Sequence, residues 1–241
     1  MVSEQSQMRT AESTPAVEPV PACNICKGTA FRAAPFNRLS RRGNPPVCCQ
    51  CGSLERHRIF RAIFAKFRDA RFKEWSCLSF SKDPSFAVGW FREHQFSMFG
   101  GHNSLDIQAI DRPDSSYDMV IGNHVLEHVP NYRAAIAEVA RITKPEGLVF
   151  LSFPNPISRQ ITEDWGYPKA EQHGHYRIFG RDVENVFALT IPHVHVVSAE
   201  DVDVVTGDRD MAYILTQSDD ILRHLIQRGV ATRIVQVRTA D

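Results

Sequence analysis

No apolar run in this chain approaches the roughly 20 residues that a membrane-spanning helix needs, and its first 22 residues lack the apolar core of a secretion signal. The sequence therefore reads as cytoplasmic, with no membrane partner. No segment repeats at a fixed period, which excludes solenoid and propeller architectures. Net charge is absent too, since 28 Lys and Arg face 28 Asp and Glu. Six cysteines in a reducing compartment point to metal ligands or buried small side chains and away from disulfides. At 241 residues and 43% hydrophobic content, the chain can bury one sizeable α/β core with a small appendage. Two full domains would be cramped.

The charge that is present is unevenly placed. Residues 1–22 are rich in Ser, Thr, Glu, Gln and Pro, carry −2, show no periodic apolar pattern and are expected to be a disordered tail. Residues 23–73 hold twelve Lys and Arg against Glu55 and Asp69, a local charge of +10, which leaves −8 for residues 74–241. A basic module is joined to an acidic one. Either the two halves dock on each other or on the mate in a homodimer, or the basic segment takes an anionic partner such as a nucleotide, a phosphorylated sugar or RNA.

The informative stretch is SYDMVIGNHVLEHVPNYRAAIAEVARITKPEGLVFLSFP, residues 116–154. Residues 118–122 are an apolar run too short for a helix, ending at Gly122 and Asn123. Ile136, Val139, Ala140 and Ile142 recur at helical spacing, with Arg133, Glu138 and Arg141 turned outward. Pro145 and Gly147 stop that helix, and 148–153 form a second unbroken apolar run, as a sheet covered on both faces requires. Two strands joined by one helix make a right-handed βαβ crossover, and such sheets bind ligands beyond the carboxyl ends of their strands.

Upstream, Cys23-Asn-Ile-Cys26 and Cys48-Cys-Gln-Cys51 are two Cys-x-x-Cys knuckles 21 residues apart, close to zinc-ribbon spacing. Four thiolates suit tetrahedral zinc, and Gly28 and Gly52 ease the tight turns. Such a site is closed, so its role is structural. Cys49 competes with Cys48 for the third position. Ser53 reads as the N-cap of a helix with Ile59, Phe60, Ile63, Phe64 and Phe67 on its apolar face.

The words SYDMVIGNHVLEHV, ARITKPEG and LVFLSFP, in that order, resemble the fourth strand, following helix and fifth strand of class I S-adenosylmethionine-dependent methyltransferases. Arg141, Lys144, Pro145 and Gly147 match that family's pattern, and Glu146 replaces a glycine. The Cys-x-x-Cys-Gly-Ser-x-x-Arg-His-Arg passage ahead of it resembles a bacterial subgroup bearing an N-terminal zinc ribbon, which extends the resemblance from residue 23 to about 215. The resemblance implies a Rossmann-like α/β sheet, mostly parallel with its last strand antiparallel, behind a small zinc ribbon. The expected divisions are a ribbon and connecting helix over 23–73 and a methyltransferase-like domain over 74–241. S-adenosylmethionine and structural zinc are the implied cofactors, and a small-molecule acceptor is the implied partner.

Two departures stand out. The strand at 75–80, where Cys77 is a buried apolar residue, is followed by Ser81-Lys82-Asp83-Pro84 where the family places a glycine-rich turn; Asp83 and Pro84 read as the N-cap and first residue of the next helix. The strand at 95–99 ends in Gly100-Gly101-His102 where the family has an acid for the cofactor's ribose. The connection onward is short, so a helix or part of a strand is missing. Ser81, Asp83, Asp106, Ile107, Asn123 and His124 are the implied cofactor contacts, Asn123 through its backbone.

For chemistry, the methyl carbon of a sulfonium is already electrophilic, so the protein must align a nucleophile and help remove its proton. His124 and His128, four apart on one expected helical face, and His175 are the candidate bases. A histidine pair at that spacing can also bind metal, but the residues between do not form a His-Glu-x-x-His word. The connection 154–180 reads as a long irregular loop; the resemblance to the ribbon-bearing subgroup, whose His-x-Arg-x-Tyr/Phe-Gly element matches at His175 and Arg177, implies that it lies on the acceptor side with His173, His175 and Arg177 as substrate contacts. Helices at 182–189 and 221–226, strands at 193–197 and 211–215, and an edge strand at 232–238 complete the chain. The leading function is methyl transfer to oxygen or nitrogen of a small metabolite or sugar-like acceptor. Its rivals are a methyltransferase fold with a degenerate cofactor site, and a zinc-ribbon nucleic-acid module, which lacks the expected aromatic and basic alternation.

Overall fold

Strand residues that alternate between two apolar clusters require a sheet with a covered face on each side. A computed structural model describes residues 20–154 and 156–235. Residues 1–19 of the expected tail lie outside the described residues, and 20–22 form neither helix nor strand. The front of the chain holds β1 (Phe31–Arg32) and β2 (Val47–Cys48), paired antiparallel, and then helix α1 (Glu55–Phe67). The body follows with β3 (Ser76–Phe80), β4 (Glu93–Ser97), β5 (Tyr117–Asn123), α2 (Tyr132–Ile142) and β6 (Thr143–Ser152). The last third adds β7 (Glu163–Lys169), β8 (His175–Ile178), α3 (Val183–Thr190), β9 (His195–Val202), β10 (Arg209–Thr216), α4 (Asp219–Gln227) and β11 (Arg233–Val235).

Seven strands form one sheet in the order β11-β9-β10-β6-β5-β3-β4. The pairs β4–β3, β3–β5 and β5–β6 are parallel, whereas β10 runs antiparallel to both β6 and β9. Leu78, Val120, Val149, Leu151, Val196 and Tyr213 point into the cluster under α2 and α3. Their neighbours Cys77, Met119, Leu148, Phe150, Val197 and Ile214 point into the cluster under α1 and α4. The result is a three-layer α/β sandwich, mostly parallel, with β10 and the edge strand β11 reversed.

The matched family words turn out to be structural joints. Arg141 donates to the carbonyls of Ile110 and Arg112 and pairs with Glu138 and Asp114, so it ties α2 to the turn preceding β5. Lys144 Nζ meets Asp118 at 2.8 Å. A side chain at Gly147 would place its Cβ 2.5 Å from the Asp118 carbonyl, so only glycine lets β6 lie this close to β5.

Three expectations need correction. No helix follows β3: Asp83 Oδ1 accepts from the Ser85 N–H at 2.7 Å in a tight turn, and the 3-10 turn Val88–Trp90 leads into β4. An aromatic cluster replaces the lost helix, because Phe64 of α1 packs against Phe67, Phe72, Phe86 and Trp90 at ring distances of 5.0–5.3 Å. Such contacts bury apolar area without regular backbone. The stretch 154–180 is not an irregular loop, since β7 and β8 pair into an antiparallel hairpin within it. Ser53 is not the cap of α1. The free Leu54 N–H is accepted instead by His57 Nδ1 at 3.1 Å, a capping contact from the third helical position. The missing connection was read correctly: among the described residues, 98–116 contain no helix or strand between β4 and β5. Of the expected edge strand, 233–235 pair with β9, and 236–238 lie outside the described residues.

The opposite charges of the two halves face each other. Arg58 of α1 and Asp203, just past β9, form a two-pronged ion pair at 2.7 Å with both side chains 0% exposed. Lys66 meets Asp201 at 2.9 Å, and the Arg41 N–H reaches Asp208 at 2.9 Å. Within one chain, the basic segment is docked on the β9–β10 hairpin.

Burial pushes the His57 imidazole down to about 4 and His94 likewise to about 4. An imidazole held below its unfolded value of about 6.5 contributes stability that is complete above that pH and is lost as pH falls towards 4. Asp210, raised to about 6 by burial, acts in the opposite sense over the lower part of that window. Replacing His57 by Gln keeps a cap acceptor and removes the titration. The urea midpoint of His57→Gln is expected to fall less between pH 6.5 and 4.5 than that of wild type; an equal fall would assign the acid sensitivity elsewhere.

Candidate active site

The carboxyl ends of β3, β4 and β5 open onto a cleft of about 960 Å³ whose wall includes Ser81, Met98, Asp106, Ile107, His124 and His128. Two sharp backbone turns shape it. Ser81 leaves β3 with φ 109°, its N–H held by the Ser97 carbonyl at 3.0 Å. His124 leaves β5 with φ 53°, its N–H on the Ser152 carbonyl at 3.0 Å. Both are positive-φ positions that favour glycine, and strain of this kind, about 1–3 kcal/mol each, concentrates at functional sites. The turn after β3 thus keeps a glycine-like backbone without glycine. Asp106 is the one carboxylate on the cleft wall among the described residues, and its Oδ1 accepts from the Gln108 N–H at 2.9 Å. Ile107 is buried at 3% exposure, an apolar floor beside it.

Asp83 and Asn123 do not line the cleft. Asn123 Nδ2 donates to Asp83 Oδ2 at 2.7 Å, while the Ser152 hydroxyl donates to Asn123 Oδ1 at 2.9 Å. This chain of bonds ties the ends of β3, β5 and β6 together. Asn123 was expected to act through its backbone; its side chain serves as the tie.

The histidines fall differently from a helical face. His124 sits in the left-handed turn and His128 ends the 3-10 turn Leu126–His128, so they do not share a helix face. His128 instead packs against His175 of β8, with ring centres 4.6 Å apart. Between the two in sequence, Glu127 is 0% exposed, and neither carboxylate oxygen has a hydrogen-bond partner. His124 Nδ1 lies 3.4 Å from Glu127, and His124 Nε2 is buried without a partner. Burial lowers the His175 pKa, which favours the neutral imidazole a base requires. His173 is exposed, lies outside the cleft wall and is set 6.1 Å, ring centre to ring centre, from His175.

Arg177, expected as a substrate contact, is 1% exposed and fully engaged. It donates to the carbonyls of Leu126, Val129 and Pro130 and pairs with Asp164 at 2.8 Å. Its guanidinium also lies over the Tyr132 ring. It clamps the β7–β8 hairpin onto the 126–130 turn, and so fixes His175 against His128. In sequence, Glu127 between His124 and His128 does not make a His-Glu-x-x-His word, whereas the structure buries it beside His128 and His175. Met98 and Tyr176 on the cleft wall carried no signal, because their positions depend on how the loop and hairpin fold over it.

A second cavity of about 510 Å³ lies between the front module and the sheet, lined by Arg38, Arg41, Arg56, Asp208, Arg209 and Asp210 among others. His124 borders both cavities. No hydrogen bond or ion pair holds the Arg41 or Arg56 guanidinium among the described residues.

In the front module, the sulfurs of Cys23, Cys26, Cys48 and Cys51 all lie within 4.8 Å of one another, with Cys23–Cys51 at 3.8 Å and Cys26–Cys48 at 3.5 Å. A tetrahedron of thiolates about 2.3 Å from zinc has edges of about 3.8 Å, so the donor set fits that ion. Cys49 points away and is exposed, which leaves Cys48 as the ligand-type residue. The Ser53 hydroxyl, released from capping, lies 3.4 Å from Cys23 and 3.2 Å from Cys51.

A mostly parallel sheet with a cleft over the carboxyl ends of its strands is the ligand-binding layout of an open α/β fold, here with two imidazoles on the cleft wall. Residues 53–188 match the sequence model of the methyltransferase domain family, more than half of the chain, and the chain belongs to that family. The family is described as a methyltransferase domain, so the chain carries a methyl-transfer domain. The sequence matches no curated protein. Among solved structures it is similar to the Burkholderia thailandensis 1,6-didemethyltoxoflavin-N1-methyltransferase, bound to its substrate and S-adenosylhomocysteine, at 13% identity and TM-score 0.45 over 66% of this chain and 78% of that one. A SAM-dependent methyltransferase of Thermotoga maritima is similar at 12% identity and TM-score 0.43, covering 67% and 91% of the respective chains. The [4+2]-cyclase SpnF is similar at 10% identity and TM-score 0.46, covering 78% and 88%.

Proposed function

We propose that this enzyme moves the methyl group of S-adenosylmethionine to an oxygen or nitrogen of a small, sugar-like or anionic acceptor, and that its front module holds a structural zinc ion on Cys23, Cys26, Cys48 and Cys51. The observation that carries the reading is the cleft at the carboxyl ends of β3, β4 and β5, with His124 and His128 on its wall and His175 packed on His128. In this reading Ile107 supports the adenine. Asp106, as the cleft's carboxylate, takes over the ribose hydroxyls that no acid at the end of β4 can reach. Ser81 and the backbone at His124 face the amino-acid end, while the Asp83–Asn123 tie keeps that wall fixed.

When bound, the cofactor supplies an electrophilic methyl carbon. The chain supplies position and a proton acceptor, which together are worth several kcal/mol of barrier. His128 and His175 stand where an acceptor hydroxyl or amine gives up its proton. The arginines of the second cavity, which shares His124 with the cleft, favour an acceptor that carries negative charge. Asp106→Ala is expected to weaken binding of S-adenosylhomocysteine by about tenfold or more, the usual worth of a hydrogen bond to a charged group, with no change in melting temperature. Unchanged affinity in calorimetric titration would remove Asp106 from the cofactor site.

A further inference from the structure

Glu127 is an electrostatic problem that the described residues do not solve. Its carboxylate is fully buried, no Lys or Arg reaches it, and neither oxygen accepts a hydrogen bond. Leaving a buried carboxylate so exposed to a low-dielectric interior is costly, and it is tolerated where a cation compensates. Two imidazoles, His128 and His175, stand beside it. One ligand atom each from Glu127, His128 and His175 lies within 4.8 Å of the others. His128 is exposed and borders the cleft, while His175 is half-buried on the hairpin.

The geometry points to a divalent cation site formed by Glu127, His128 and His175 at the acceptor end of the cleft, distinct from the four-cysteine cluster. The donor set is one carboxylate and two imidazoles, which suits zinc, manganese or ferrous iron and not the soft ions that prefer thiolates. Three protein ligands leave coordination positions open, as in metal sites that bind a substrate. His124, 3.4 Å from Glu127 through Nδ1, stands as the outer partner that orients the carboxylate. Arg177 makes the site rigid, since it bonds three carbonyls of the turn carrying Glu127 and His128 and is two residues from His175 on the same strand. Both halves of the ligand set are therefore fixed relative to each other before any ion arrives.

The inference rests on the methyl-transfer reading for its purpose. With His128 and His175 engaged as ligands they would no longer serve as bases, and an acceptor hydroxyl on the cation would instead lose its proton to solvent more readily. The alkoxide oxygen then forms a bond to the methyl carbon as the carbon–sulfur bond breaks, leaving a methyl ether and the neutral thioether. The acceptor would be a hydroxyl compound with a second oxygen placed to chelate.

Metal binding itself needs neither cofactor nor acceptor, so its failure and the failure of methyl transfer are separable. Full-length protein dialysed against zinc is expected to hold one equivalent at the cysteines and one more at this site. Protein carrying a single equivalent of zinc, at the cysteines, is expected to take up one equivalent of manganese on dialysis. His128→Ala/His175→Ala should lose that second equivalent and keep the first. Glu127→Gln, which preserves shape, should weaken manganese uptake at least tenfold at unchanged melting temperature. One metal ion per chain in both baths, or equal uptake by the double variant, would overturn the site.

Discussion

Asp203→Ala is expected to destabilise the protein by about 3–5 kcal/mol, the cost of breaking a buried ion pair from one side. Arg58 has no water to turn to, being 0% exposed, and its remaining polar contact is the Ser53 carbonyl at 3.0 Å. Asp203 also accepts from the Thr206 N–H and hydroxyl, so the substitution loosens the β9–β10 turn as well. The pair joins the front module to the sheet, so the loss should appear as a lower urea midpoint for the whole transition. Removing both charges with Arg58→Met and Asp203→Leu should recover at least half of the loss, because the pair's own desolvation cost disappears with it. A single variant within about 1 kcal/mol of wild type would show that the pair is open to solvent.

Cys26→Ser should have the other large effect. With one thiolate gone, the module should lose the zinc proposed for it, and structural zinc in small modules supplies much of their folding free energy. The consequence should spread along a physical chain. Ser53 touches Cys23 and Cys51, its carbonyl holds Arg58, and Arg58 holds Asp203. At this length each kcal/mol lowers the melting temperature by about 2–4 °C, so a loss of several kcal/mol means a drop of about 10 °C or more. Elemental analysis should find one zinc fewer per chain than in wild type. Full zinc content, or an unchanged melting temperature, would contradict the assignment.

Much of this architecture was legible because it rests on local chemistry. The apolar runs in β5 and β6 and the periodic face of α2 are short-range patterns, and Arg141, Lys144 and Gly147 are joints between neighbouring elements. The Cys-x-x-Cys knuckles were legible for the same reason, and only the choice between Cys48 and Cys49 needed coordinates. The failures were long-range. Asp83-Pro84 has the chemistry of a helix start, but the chain there instead packs Phe86, Trp90 and Phe91 against Phe64. The polarity of 154–180 hid a hairpin whose main purpose is to carry Arg177 to three carbonyls. Arg177 itself looked like a ligand contact because nothing in sequence reveals that its donors are already engaged. Spacing alone discounts Glu127 as a partner of His124 and His128, because its neighbour His175 lies far along the chain.

The account stands or falls on the cleft accepting S-adenosylmethionine despite its altered turn after β3 and the absence of an acid at the end of β4. The most direct measurement is isothermal titration of S-adenosylmethionine into the purified, zinc-loaded wild-type protein. One site per chain, with the heat of binding accompanied by a rise in melting temperature, is the predicted result. No heat and no thermal shift at millimolar cofactor would contradict the central claim and leave a methyltransferase fold without its donor.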